Sequence, residues 1–339
     1  VKPALDILSV GMVNAVGLDA PSACSAMRAG IDGFVETQFL AGGDEFLIGA
    51  PVLLPRNWVG EKRMAHLLGA AINEAFESVP SARRNTTLIL CVAEEIRPGR
   101  PLHDYASLLR RLADIVEEPM SKARIIAHGR PSGHVALDQA RRLLSEGAAY
   151  VMIAGVDSYL TPSAVAHFSS EKRLLTTRNP NGFIPGEGAA AVLCSHAGEG
   201  SLTLFGVGLA REAAYIYNPQ DIPLRGEGMI SAYRTALSEA NAEMHQVAYR
   251  IADLIGEQYW FKQSTLAVSR VTRIVREFMD IWSPAECLGN VGAAVTPTMI
   301  GMAFTAMQKN YAPGTSVLVE ASSDLGACAT AIFARSKGQ

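Results

Sequence analysis

ARIIAHGRPSGHVALDQARRLLSEGAAYVMIAGVDSYL, Ala123 to Leu160, decides how the rest of the chain is read. Ile125 and Ile126 form a short apolar strand, His128-Gly129-Arg130-Pro131 a tight turn, and the following residues an amphipathic helix. A second strand, Tyr150 to Ala154, is apolar almost throughout, as a strand covered on both faces would be. Ser132 and Gly133 stand where the helix begins, Ser132 as an expected N-cap and both small enough to let another group approach. A strand–turn–helix junction of this kind lifts one side chain to the positive end of a helix, where a thiolate or oxyanion is favoured. The side chain at this apex is Arg130, and a guanidinium is no nucleophile.

Two motifs carry a family resemblance. The run SGHVALDQARRLLSEGAAYVMIAGVDSYLTP resembles the thiolase superfamily and, within it, the β-ketoacyl synthases, which place a cysteine at the elbow, a small-Gly pair after it, a helix, and an apolar strand ending in Gly-x-Asp. NGFIPGEGAAAVL, Asn181 to Leu193, resembles the synthase signature Asp-Gly-Phe-x-x-Gly-Glu-Gly-Ala, with Asn181 in place of the aspartate. The match holds best over Ala123–Leu193 and Leu288–Phe333. It implies an α/β, thiolase-like duplicated fold, five-layered αβαβα.

Composition agrees with a globular chain. With 339 residues, 49% hydrophobic and 19% charged, the chain can bury a substantial core. A net charge of −3 supplies no general field for nucleic acid or an anionic membrane. Cys24, Cys91, Cys194, Cys287 and Cys328 are scattered without C-x-x-C or zinc spacing and are read as buried, reduced thiols. VKPALDILSVGM lacks a signal-peptide pattern and no apolar run is long enough to cross a bilayer, so a cytoplasmic protein is the expectation.

The pattern restarts midway. The first half reads as a strand over Ala4–Val16, a helix near Pro21–Ala29, a short strand over Ala50–Leu54, a helix over Glu61–Val79, a strand over Thr87–Val92, a helix over Tyr105–Val116, and then the elbow. After Cys194 come a strand (Ser201–Val207), a helix (Met229–Ala240), a strand (Tyr249–Leu254), a helix over Thr272–Asp280, a Gly/Ala-rich elbow entering a helix (Gly289–Met307), and strands over Ser316–Ser322 and ACATAIFA. The order elbow, helix, central strand recurs, so two halves are expected, 1–197 and 198–339, forming one compact unit. Glu94 and Glu95, Arg110 and Arg111 are read as solvated charges, and His66 and His103 have no partner at ligand spacing.

The resemblance also says what chemistry to look for. Condensation needs a thiolate to carry the acyl group and polar groups to stabilise enolate and oxyanion. Aligning Ser132-Gly133 on the small-Gly pair puts Arg130 at the position of the nucleophilic cysteine. The first synthase histidine falls within ADLIGEQYW, on Asp253 or Ile255. The second falls on Asn290 in LGNVGAA, as in the initiating synthases, and the lysine five residues earlier becomes Ala285. Glu187 of the GEG motif is implied to support the site structurally.

Neighbouring side chains offer substitutes. Ser132, flanked by His128 and His134, could form a hydroxyl–imidazole pair, against the plainer reading of a helix-start serine beside unrelated histidines. Cys287 and Cys91 are read as structural. Asp253 and Glu257 could pair with Arg130 and fill the old pocket with ions, or Arg130 could bind an acidic ligand. No phosphate loop, dinucleotide fingerprint or metal spacing is present, so no cofactor is called for. The resemblance thus implies a degenerate synthase working as a non-catalytic partner, scaffold or adaptor. Such a chain would form a homodimer and engage a protein partner, an active subunit or, as with degenerate synthases of bacterial secretion loci, an effector. The competing expectation is an acyltransferase or hydrolase acting on acyl-carrier or acyl-CoA thioesters with Ser132, His128, Asp253 or Asn290.

Overall fold

The computed structural model describes residues 4–42, 45–55, 57–119, 123–198, 200–274 and 278–335. The first half runs β1 (Leu5–Asn14), α1 (Ala20–Arg28), β2 (Val35–Gly42), β3 (Glu45–Gly49), α2 (Gly60–Glu77), β4 (Thr86–Cys91), α3 (Tyr105–Val116), β5 (Arg124–Ile126), α4 (Ser132–Ser145), β6 (Tyr150–Ser158), α5 (Pro162–Ser170) and β7 (Glu187–His196). The second runs β8 (Leu202–Arg211), α6 (Glu227–Glu239), β9 (Tyr249–Ala252), α7 (Gln258–Val271), β10 (Asp280–Trp282), α8 (Ala285–Leu288), α9 (Val295–Gln308), β11 (Ser316–Ser322) and β12 (Ala327–Arg335).

Ten of these strands form one mixed sheet in the order β10-β9-β11-β12-β8-β1-β7-β6-β4-β5, and β2 pairs with β3 as a separate hairpin. The order is a repeat. β5-β4-β6-β7-β1 on one side matches β10-β9-β11-β12-β8 on the other, with parallel and antiparallel steps in the same places. The two blocks join along a short antiparallel seam from Leu5–Leu204 to Ile7–Leu202.

The helices layer around this sheet. α4 and α9 share one core with residues of β1, β6, β7, β9 and β11, and α9 is buried along nearly its whole length. Methionines, alanines and Phe304 make that possible, since no charge on α9 has to reach water. α2 and α3 cover the other face of the first block, and α6, with the end of α7, that of the second. The two central helices nearly touch at their beginnings: a Cβ on Gly133 would lie 2.6 Å from the Thr296 side chain, so only glycine fits there.

Several sequence expectations are corrected. Ala50 makes a single bridge to Gly186 and Ala50–Leu54 is otherwise irregular. Pro51 and Pro55 interrupt the donors a strand would need. The helix read over Thr272–Asp280 is absent from its described residues; 275–277 lie outside them, and Asp280 opens β10. Helical order lies instead in α7, which begins just after Glu257. Ser132 is the first residue of α4, not its cap, for the chain enters through Pro131.

Candidate functional site

The elbow closes on itself through backbone bonds. Gly129 turns the chain at φ 62°, its N–H donates to Val92 O at 3.0 Å, and Ser132 N–H donates to Gly129 O at 3.0 Å. Arg130 follows at the apex and is 2% exposed. Its guanidinium donates to Asp253 Oδ2 at 2.9 Å and to Asp324 Oδ1 at 3.2 Å, and lies 4.0 Å over the Trp260 ring. Thr296, at the start of α9, fixes the backbone from below by donating its hydroxyl to Arg130 O at 2.7 Å.

A second arginine extends the cluster. Arg173, just after α5, makes a two-pronged pair with Glu257 at 2.8 and 2.7 Å and reaches Asp324 Oδ2 at 2.5 Å. The Trp260 indole N–H donates to Glu257 Oε2 at 3.0 Å. Asp324 is therefore the shared carboxylate, its side chain 30% exposed at the rim while its partners are buried. Nearby, Arg97 forks onto Asp157 at 2.9 and 2.5 Å and stacks 4.1 Å from the Tyr159 ring. Asp157 also accepts from the Ala293 N–H at 3.0 Å, tying the Gly-x-Asp end of β6 to the second elbow.

In the inner cluster two guanidiniums face three carboxylates, and burial decides where the excess charge settles. Asp253 is pushed up from the usual carboxylate range by desolvation, with Arg130 pulling the other way, and its Oδ1 has no hydrogen-bond partner. Burial acts on Asp324 too, but Arg173 and Arg130 outweigh it and hold that carboxyl below its usual value. Glu94, beside Gly129, is pushed up by desolvation.

Glu257 does not pair with Arg130: as the residue that opens α7 it turns to Arg173. Ser132 is fully buried and its hydroxyl is engaged by backbone alone, accepting from the His128 N–H at 3.0 Å and facing Ile126 O and Val92 O at 3.3 and 3.4 Å. His128 is exposed and contacts Ser132 through that N–H. His134 lies between Thr296 Oγ1 and Val319 O, and burial lowers it to about 4, so its ring is neutral. No serine–imidazole pair forms at the elbow. Asn290 is buried and accepts from the Gly292 N–H at 3.0 Å, a local turn bond. Glu187 accepts from Arg63 and from the Val52 N–H at 2.9 Å, tying the start of β7 to α2 and to the segment after β3. Among the described residues no three His, Cys, Asp or Glu side chains converge as a metal site requires.

Arg173, Asp324, Arg97 and Trp260 were missed in the sequence. Asp324 had one signal, since it follows the second central strand in ASSD much as Asp157 closes the first in GVDSY. Arg173 had none: its partners lie 84 and 151 residues away.

Residues 131–198 match the family model for the beta-ketoacyl synthase N-terminal domain. Among solved structures, the chain is similar to one from the ketosynthase ApeO in complex with its chain length factor ApeC from Xenorhabdus doucetiae, at 16% identity, TM-score 0.79 and 98% coverage of each chain. It is similar to a chain of the AntDE:AntF complex, a type II polyketide acyl-carrier protein with its ketosynthase bound to the hexaketide, at 15% identity and TM-score 0.80 over 98% of this chain and 100% of that one. A beta-ketoacyl synthase from Burkholderia phymatum matches at 16% identity and TM-score 0.73 over 98% and 99%. The fold is therefore the thiolase-like fold of the ketosynthases.

Proposed function

We propose that this ketosynthase-like chain is a non-catalytic partner, scaffold or adaptor whose ancestral acyl site is closed. The observation that carries the proposal is Arg130 at the elbow apex, buried and held by Asp253 and Asp324. A condensing or hydrolysing enzyme needs a nucleophile with a base in reach. The apex instead holds a permanent cation, and the adjacent hydroxyl of Ser132 is bound up in backbone contacts. Asn290 alone keeps a catalytic residue type, and its side-chain oxygen is spent on its own turn.

A partner role fits two further facts. Solved relatives include a ketosynthase in complex with its chain length factor and another in complex with an acyl-carrier protein. The sheet also ends in a short edge strand, β5, on which Ile125 is 36% exposed, so a homodimer or a paired ketosynthase-type subunit could extend the sheet there. In this proposal the halves 1–197 and 198–339 act as one cytoplasmic unit, and an effector remains an alternative protein partner. No helix among the described residues is long and apolar enough to cross a membrane.

The test has two arms. Intact-mass analysis after incubation with acyl-CoA and acyl-carrier thioesters is expected to show neither acylation nor thiol release. Affinity purification from the native host is expected to recover a ketosynthase-type subunit or another stoichiometric partner. Acylation that disappears in Ser132→Ala would overturn the proposal, and recovery of the homodimer alone would remove the partner role.

A further inference from the structure

We propose that two adjoining cavities between α1, β10 and the end of α9 form a binding site for a small carboxylate with a flat apolar body. They lie apart from the elbow and share no lining residue with the arginine cluster. The inner cavity, of about 200 Å³, is walled by Cys24, Met27, Cys287 and Met302 and by the rings of Trp282 and Tyr311. A cavity of about 150 Å³ already takes benzene, so one aromatic ring fits this space. Thioethers, thiols and aromatic faces are soft, polarisable walls suited to such a ring.

The outer cavity supplies the charge. It is more open, about 420 Å³, and shares Arg28 and Tyr311 with the inner one. Arg28 and Lys309 line it together with the hydroxyl residues Ser25 and Thr305, and no acid does. Among the described residues neither cation has a carboxylate partner. The Arg28 guanidinium lies 4.3 Å over the Tyr311 ring, which fixes the cation and leaves its in-plane N–H groups for a ligand. Glu286, the one acid on the inner lining, is exposed. A ring seated among the methionines would set its carboxylate against Arg28, at the boundary of the two spaces. Aromatic acids of benzoate size meet both demands; a neutral ring meets the first alone and acetate the second.

The chain holds three tryptophans, Trp58, Trp260 and Trp282, of which only Trp282 lines the cavity, so indole N–H resonances report occupancy site by site. Titration of the intact chain with benzoate, benzyl alcohol and acetate is the experiment. Benzoate is expected to move the Trp282 resonance saturably while leaving Trp58 and Trp260 in place, and to bind about tenfold more tightly than benzyl alcohol, the worth of a charge-assisted contact. Arg28→Gln, at an exposed helix end, is expected to erase that preference without changing the fold. In parallel, benzoate should slow alkylation of Cys24 and Cys287 relative to Cys91 and Cys194, which lie elsewhere in the core. A Trp282 resonance that benzoate leaves unmoved, equal binding of benzoate and benzyl alcohol, or an unchanged preference in Arg28→Gln would each overturn the proposal.

Discussion

Asp324 and Arg173 meet at 2.5 Å, and the other oxygen of the same carboxylate lies 3.2 Å from Arg130. One aspartate thus couples the elbow of the first half to the segment after α5. The three residues come from positions 130, 173 and 324, so the cluster is a property of the whole fold and not of one loop. Buried charges are costly to desolvate, and breaking such a pair costs more than its net worth because the survivor is stranded.

Arg130→Ala should therefore destabilise the protein by about 3–5 kcal/mol, since Asp253, 5% exposed, would lose its countercharge. The double replacement Arg130→Met with Asp253→Leu removes both charges and should lie much closer to the wild type, or above it. Urea denaturation of the three proteins measures this. A near-neutral Arg130→Ala would mean that the ion pair contributes nothing to closing the site.

Ser132→Ala should cost about 1 kcal/mol, because the hydroxyl satisfies the His128 N–H inside the turn. It should change no reaction with acyl thioesters. Thermal melts and intact-mass measurements on one preparation separate these roles: loss of an activity with an unchanged melt would restore Ser132 as a nucleophile.

The layered fold was legible because its signals are local: an apolar run for β6, an elbow before α4 and again before α9, and the recurrence of that order. The site was legible only where it coincides with family positions. Arg130, Asp253 and Asn290 could be found by asking what replaced a cysteine and two histidines. In sequence Asp253–Glu257 reads as one loop facing Arg130, whereas α7 begins at Gln258 and turns Glu257 towards Arg173. Ion pairs between residues far apart in sequence follow from packing, and spacing carries no trace of them.

Asn290→Ala should weaken the second elbow by about 1 kcal/mol, the usual worth of a side-chain bond to a backbone N–H at such a turn. Hydrogen exchange should reveal faster opening around Gly292 without a change in the Arg130 cluster. Equal loosening at both elbows would show the two to be coupled through α9.

Two buried groups outside the elbow give the stability opposite pH dependences. Glu320 lies beneath α7, accepts from Ser264 at 2.5 Å and lies 3.5 Å from Arg250, and burial pushes its carboxyl from 4.5 up to about 8. Its folded value exceeds its unfolded one, so its contribution is full below about 4.5 and is lost as pH rises to 8. His134 is the reverse case, lowered by burial from 6.5 to about 4, so its contribution is full above 6.5 and is lost as pH falls towards 4. Between about pH 4.5 and 6.5 the two slopes oppose each other, each about 1.4 kcal/mol per pH unit when fully expressed. The difference in unfolding free energy between wild type and Glu320→Gln should therefore fall with rising pH, and that between wild type and His134→Gln should rise. Urea titrations at half-unit pH steps from 4.5 to 8 read both differences. A flat Glu320→Gln difference would mean that Arg250 holds that carboxylate charged across the whole range, with Ser264 bridging a permanent ion pair.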